Sequence, residues 1–176
     1  MNLNKKGYAA RLFGWLCPSG PKKAQEFRLK TVVPASEVNP GSLGKILIVD
    51  DDPITLKTAS VKLQAEGFAA VTAADGSEAM TRIRDDNPDL ILLDIVFPPD
   101  IGGVAWDGFV LLQWLRTLGP GKMPVLLIST DAARYEDRVL TSGALGIFDK
   151  PLDYEQLLPT IKQLVEERQR ANALGI

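Results

Sequence analysis

Histidine is absent from this chain of 176 residues, and cysteine occurs once, at Cys17. Without His there is no Ser-His-Asp triad and no His-based general base or zinc site. A lone Cys excludes an intrachain disulfide and any multi-cysteine metal cluster. No apolar stretch approaches the roughly 18 residues that a membrane span needs. The N-terminus also lacks the apolar core of a secretion signal. The expected setting is reducing and cytoplasmic.

What remains is a hydrophobic content of 45% and an uneven distribution of charge. Residues 1–45 carry eight Lys and Arg against two Glu, whereas residues 46–176 carry 12 basic and 20 acidic side chains. Such opposite balances point to regions with different tasks. The reading is a basic N-terminal extension, 1–44, followed by one domain, 45–176. In the extension, Tyr8, Leu12, Phe13, Trp15 and Leu16 fit an amphipathic helix, broken at Cys17-Pro18. It can pack on its own domain or meet a partner. Membrane contact and DNA binding are disfavoured, the segment being too short for a helix-turn-helix.

From Lys45 onward short apolar runs alternate with helical spacing. The runs cover residues 46–49, 69–73, 90–93, 125–128 and 145–148. Between them, Asp52-Pro53 and Asp75-Gly-Ser-Glu78 read as helix starts. Gly67, Asn87-Pro88, Gly119-Pro120-Gly121 and Gly143 read as stops. The third helix is expected to turn Val110, Leu111, Trp114, Leu115 and Leu118 inward, and the last one Leu157, Leu158, Ile161, Leu164 and Val165. Five strands separated by five helices require parallel pairing with right-handed crossovers. The fold class is therefore α/β: a doubly wound, five-stranded parallel sheet in a three-layer α/β/α sandwich.

The chemistry gathers at the ends of these runs. The first closes on Asp50-Asp51-Asp52, the third on Asp94, the fourth on Ser129-Thr130, and the last on Asp149-Lys150-Pro151. In an open α/β sheet these ends share one crevice. Asp52 is explained by capping; Asp50, Asp51 and Asp94 are not. Three carboxylates close together repel unless a cation neutralises them. An oxygen-only set favours Mg2+, with Mn2+ as a second choice. Lys150 is expected to pair with Asp94 at rest.

The stretches "ILIVDDDPITLKTASVKLQAEGFAAVTAADGSEAMTRIRDDNPDLILLDI", "MPVLLIST" and "GALGIFDKPLDYEQL" resemble the receiver domain of two-component response regulators, over about residues 45–165. The resemblance implies the flavodoxin-like, CheY-like version of the fold. It also implies that Asp94 is the phosphoacceptor, and that Asp50, Asp51, Asp94 and the backbone carbonyl of Val96 hold Mg2+. Ser129 becomes the hydroxyl that turns toward the phosphoryl group, with Thr130 beside it, and Lys150 the amine that neutralises it. The implied donor is a phosphohistidine on a sensor histidine kinase or phosphotransfer protein. The product signals to a downstream protein, with no nucleic-acid partner. Such a domain promotes its own phosphorylation and dephosphorylation but turns over no free metabolite.

Three departures stand out. About six extra residues lie between Asp94 and Asp107-Gly108, with Trp106 among residues 99–106. Ile147 occupies the place where the family commonly carries a switch aromatic. Thr130 replaces a small residue. Ile147 and the long loop slightly favour, as an alternative, a pseudo-receiver that binds partners without phosphorylation; the intact Asp50, Asp51, Asp94, Ser129 and Lys150 argue against it. An aspartyl phosphohydrolase is disfavoured, because Val96 stands where such enzymes carry a second acid.

Overall fold

The computed structural model describes residues 42–96, 107–117 and 123–175. The expectations placed on residues 1–41, on 97–106 and on the break at 119–121 lie outside them. The strands are β1 (Lys45–Val49), β2 (Ala69–Ala73), β3 (Leu90–Asp94), β4 (Val125–Ser129) and β5 (Gly146–Asp149). They alternate with α1 (Pro53–Ala65), α2 (Gly76–Asp86), α3 (Gly108–Thr117), α4 (Glu136–Ser142) and α5 (Tyr154–Leu174). All pairs are parallel, in the order β2-β1-β3-β4-β5. The doubly wound α/β sheet expected from the alternation is the observed one.

Local signals account for the helix ends. Asp52 caps α1, accepting from Ile54 and Thr55 N–H, with Pro53 in the first turn. At α2 the Asp75 carboxylate accepts from Glu78 N–H at 2.7 Å, while Glu78 Oε2 accepts from Ala74 N–H at 3.0 Å. This is a capping box shifted by one residue at its return bond. Asn87 ends α2 at φ 44°, a left-handed position that its short polar side chain tolerates.

The central strands are buried on both faces, which is why they read as continuous apolar runs. One core lies under α2, α3 and α4 around Leu47, Val49, Ile91, Leu93 and Leu127. The other lies under α1 and α5 around Ile46, Ile48, Leu92, Leu157 and Ile161. Each fully buried Leu or Ile contributes roughly 1.5–3 kcal/mol. That burial offsets the cost of holding two carboxylates, Asp50 and Asp94, out of water.

In α3 the inward face agrees with the expected one at Leu111 and Leu115 and departs from it at Val110, while Leu118 lies outside the described residues. Phe109, Leu111, Leu112 and Leu115 are buried, while Val110 is 40% exposed and Trp114 only half-buried. The register is set by the start of the helix. Asp107 accepts from Val110 N–H at 2.7 Å, and Gly108 N–H donates to the Ile95 carbonyl at 2.9 Å. These two bonds rotate the stripe by about one residue. The helix expected over 134–142 is likewise split, into a 3-10 turn at Ala133–Tyr135 followed by α4.

At the N-terminal end of the sheet Lys45 and the α2–β3 connection form a closed polar cluster. Lys45 Nζ donates to the Asp86 carbonyl at 2.8 Å and lies 3.6 Å from Asp86 Oδ1. Arg82 approaches Asp86 Oδ2 at 3.8 Å, and Asp89 accepts Lys45 N–H at 2.8 Å.

Candidate functional site

The order of the strands places the reversal of winding between β1 and β3, the position at which open α/β sheets bind ligands beyond their C-terminal ends. Asp50 follows β1 and Asp94 ends β3, so both acids face this crevice from adjacent strands. Asp50 is fully buried; its Oδ1 accepts Asp52 N–H at 2.9 Å. Asp94 is 5% exposed, with Oδ1 accepting Val96 N–H at 3.4 Å. Asp51 points its carboxylate to solvent, yet Asp50, Asp51 and Asp94 each bring an oxygen within 4.8 Å of the others.

Lys150 closes the cluster. Its ammonium lies 2.6 Å from Asp50 Oδ2 and 2.9 Å from Asp94 Oδ2. The sequence suggested only the Asp94 pair; the Asp50 contact is the shorter. Burial disfavours charge on Lys150, but the bonds to Asp50 and Asp94 outweigh it and raise its pKa above the ordinary lysine value. Burial raises the Asp94 carboxyl above the usual carboxylate range; Lys150 pulls it down, and Asp50 pushes it up again. Two buried carboxylates thus share one ammonium, with the Asp51 carboxylate beside them. The donors are all oxygens, so the residues fit a hard divalent cation. Asp52 is a separate matter: its backbone bond from Ile54, then the Thr55 hydroxyl, hold it below the usual carboxylate range, as befits a cap.

Register places the remaining residues. Asp94 pairs with Ile128, so Ser129 stands one step beyond it on the neighbouring strand, 2% exposed. Its Oγ accepts Asp131 N–H at 3.1 Å. Thr130 is exposed and lines a cavity of about 490 Å³ together with Lys150, Pro151, Ile54, Thr58 and Tyr154. Val96 has its side chain 62% exposed. Ile147 does not reach the crevice: it pairs with Leu127 inside the sheet and packs, half-buried, on the core under α3 and α4.

Two residues gain a role that sequence reasoning did not assign. A Cβ at Gly108 would collide with the Asp94 carbonyl and come within 2.9 Å of Ile95 Cα. Glycine there lets α3 start against the backbone that carries Asp94. The signal was a Gly directly after the helix-capping Asp107. Asp149 accepts Ala132 N–H at 2.8 Å, a bond across 17 residues that local pattern cannot foretell.

A family model described as the response regulator receiver domain matches residues 46–162. The probable transcriptional regulatory protein TcrX of Mycobacterium tuberculosis is 35% identical over 68% of this chain and 49% of its own length. The DNA-binding dual master transcriptional regulator RpaA of Synechocystis is 32% identical over 72% of this chain and 51% of its own length. The chain thus spans about half the length of the curated relatives it matches. Among solved structures, a CheY-like receiver domain protein from Methanospirillum hungatei aligns with TM-score 0.63 and 30% identity, covering 73% of this chain and 98% of that one. Response regulator TrrA from Thermotoga maritima, solved in complex with Mg(2+)-BeF, aligns with TM-score 0.59 and 27% identity, covering 68% and 97%. With a parallel β2-β1-β3-β4-β5 sheet, an acidic crevice at its switch point and this family match over most of the described residues, the chain belongs to the response regulator receiver domain family.

Proposed function

We propose that this domain accepts a phosphoryl group on Asp94 and passes the signal on by protein contacts. One observation carries the reading: a buried carboxylate, at the end of the central strand, shares a single ammonium with a second buried acid, and a third carboxylate lies within 4.8 Å of both. Such a site is electrostatically incomplete and suits a cation and a phosphoryl group arriving together. The donor class is a phosphohistidine of a sensor histidine kinase or phosphotransfer protein. An Asp94 carboxylate oxygen forms the bond to phosphorus as the phosphorus–nitrogen bond breaks, and the imidazole leaves with the electron pair.

Asp50, Asp51, Asp94 and the Val96 carbonyl would hold Mg2+, or Mn2+ in its place. The metal, when bound, would neutralise charge on the transferring phosphoryl oxygens. Lys150 leaves its two carboxylates to pair with a phosphoryl oxygen, a move its flexible stem permits. Ser129 donates its hydroxyl to another oxygen, giving up the Asp131 amide. Thr130 lines the 490 Å³ cavity beside Lys150 and adds bulk next to Ser129. TrrA, solved with Mg(2+)-BeF, supports a metal-assisted phosphoryl site in this fold.

Residues 45–176 form the receiver and 1–44 a separate basic extension in this reading, and the setting is cytoplasmic. Among the described residues no helix is long and apolar enough to cross a membrane. The relatives named as DNA-binding are about twice as long as the matched stretch, so DNA contact is theirs. The expected lack of a nucleic-acid partner applies to the receiver alone. The deciding experiment is intact mass after incubation with Mg2+ and acetyl phosphate. The expected result is a gain of one phosphoryl group, labile to hydroxylamine. No gain, with the fold intact, would favour the pseudo-receiver instead.

A further inference from the structure

The loop after β4 is held by two successive amides with different fates. Asp131 N–H donates to Ser129 Oγ at 3.1 Å, the hydroxyl that must turn away when a phosphoryl group binds. Ala132 N–H donates to Asp149 Oδ1 at 2.8 Å, on the neighbouring strand, where nothing requires movement. Ser129 and Asp149 are register partners, and Lys150 N–H donates to the Ser129 carbonyl at 2.7 Å. Asp149 therefore ties the loop to the strand end that also presents Lys150. Ala132 itself is 6% exposed, whereas Asp149 is exposed, so the bond holds a covered amide to a side chain at the surface. The next turn hangs on the same residue: Tyr135 N–H donates to the Ala132 carbonyl at 2.9 Å, and its ring lies 5.9 Å from that of Phe109 in α3.

We infer that Asp149 is a positioning residue for phosphoryl acceptance, which pins the loop at Ala132 so that Ser129 and Thr130 are presented to Asp94 while Asp131 is free to move. The inference rests on the receiver reading and concerns the regulation of that same site. With the pin in place, release of Asp131 pivots the loop about Ala132. Motion then reaches Tyr135 and α3 instead of dissipating in the loop. This route needs no aromatic at Ile147. A carboxylate is suited to the task because a charge-assisted bond to an amide is stronger than a neutral one.

The test uses the full chain, Mg2+ and acetyl phosphate, with phosphoryl gain followed by intact mass. Asp149→Ala should slow acceptance about ten- to a hundredfold, the scale expected for a misplaced reacting group. Asp149→Asn keeps an acceptor oxygen without the charge and should recover most of the rate. Ala132→Pro removes the donor while leaving Asp149 charged; φ of −63° at that position suits the proline ring. It should be as slow as Asp149→Ala. Hydrogen exchange at the Ala132 amide should be slow in wild type and Asp149→Asn and fast in Asp149→Ala. A fast Ala132 amide with an unchanged phosphorylation rate would reduce Asp149 to a structural tether and overturn the inference. So would an Asp149→Asn variant as slow as Asp149→Ala. If wild type gains no phosphoryl group at all, the receiver reading fails, and this inference with it.

Discussion

The two ends of the sheet both bury carboxylates beside a lysine, yet they are built for opposite ends. At the N-terminal end Asp86 and Asp89 meet Lys45 and Arg82, and the Lys45 ammonium also binds a backbone carbonyl. The buried acid there, Asp86, has two cations beside it, Lys45 and Arg82, the second shared with the more exposed Glu78. At the C-terminal end the buried acids Asp50 and Asp94 share Lys150 alone, with the exposed Asp51 carboxylate beside them. Lys45 and Lys150 side chains are equally covered, 14% exposed each, so burial does not separate the two ends. The ratio of acids to bases does. A matched buried cluster stabilises a fold, or at least costs little; an unmatched one retains negative potential that only a ligand can relieve. The comparison teaches that surplus charge, more than a buried ion pair as such, marks the functional end.

The largest expected effect is at the unmatched end. Asp94→Asn should abolish the phosphoryl gain seen by intact mass while the protein stays folded, because an amide neither attacks phosphorus nor carries charge. A full-strength gain in that variant would mean that phosphate sits elsewhere. At the matched end, Asp86→Ala should leave Lys45 and Arg82 without their buried partner and cost about 2–3 kcal/mol in urea unfolding. Phosphorylation of the folded fraction should be unchanged. If stability is untouched, the closed cluster is ornamental and the contrast between the two ends collapses.

A sharper reading comes from Asp51→Ala, which removes one of the three carboxylates without touching the Lys150 contacts. Mg2+ affinity, followed by NMR titration, should fall by about tenfold or more. Without the metal, the melting temperature should not fall, because a like charge has been removed from beside Asp50. Unchanged affinity would move the metal site away from this cluster. The smallest effect concerns the decay of the aspartyl phosphate. Val96 offers no polar group to line up water, and Thr130 adds bulk beside the site. Asp131 pulls the other way, because a carboxylate two residues past Ser129 can orient water, but the first two effects outweigh it. Decay after donor removal should therefore be slow for a receiver, and Val96→Asn should speed it severalfold. A wild-type half-life of seconds, or an indifferent Val96→Asn, would contradict this.

Much of the fold was legible because its signals are local. Continuous apolar runs such as 90–93, bounded by turn residues, suit a strand covered on both faces, and Asp52-Pro53 or Asn87-Pro88 state a helix boundary through their own backbone chemistry. Asp50, Asp51, Asp94 and Lys150 were legible for the same reason: each stands within two residues of the end of an apolar run, and a parallel sheet brings its strand ends together. The inward face of α3 was not, because Val110, Leu111, Leu112 and Leu115 are all apolar. Only the bond from Gly108 to Ile95 and the cap at Asp107 select Phe109 and Leu112 over Val110.

By itself the sequence determined the element order, the parallel winding and the acids and amine that share the crevice, since these depend on periodicity and on residues adjacent in the chain. Only the tertiary structure decided which charges are matched. It gave Lys150 to Asp50 as well as Asp94, matched Asp86 with Lys45, set Gly108 against the Asp94 carbonyl and tied Asp149 to Ala132. Those pairings join residues 14 to 100 positions apart. Their energies depend on distances and burial that exist once the sheet has closed, and no local pattern encodes them.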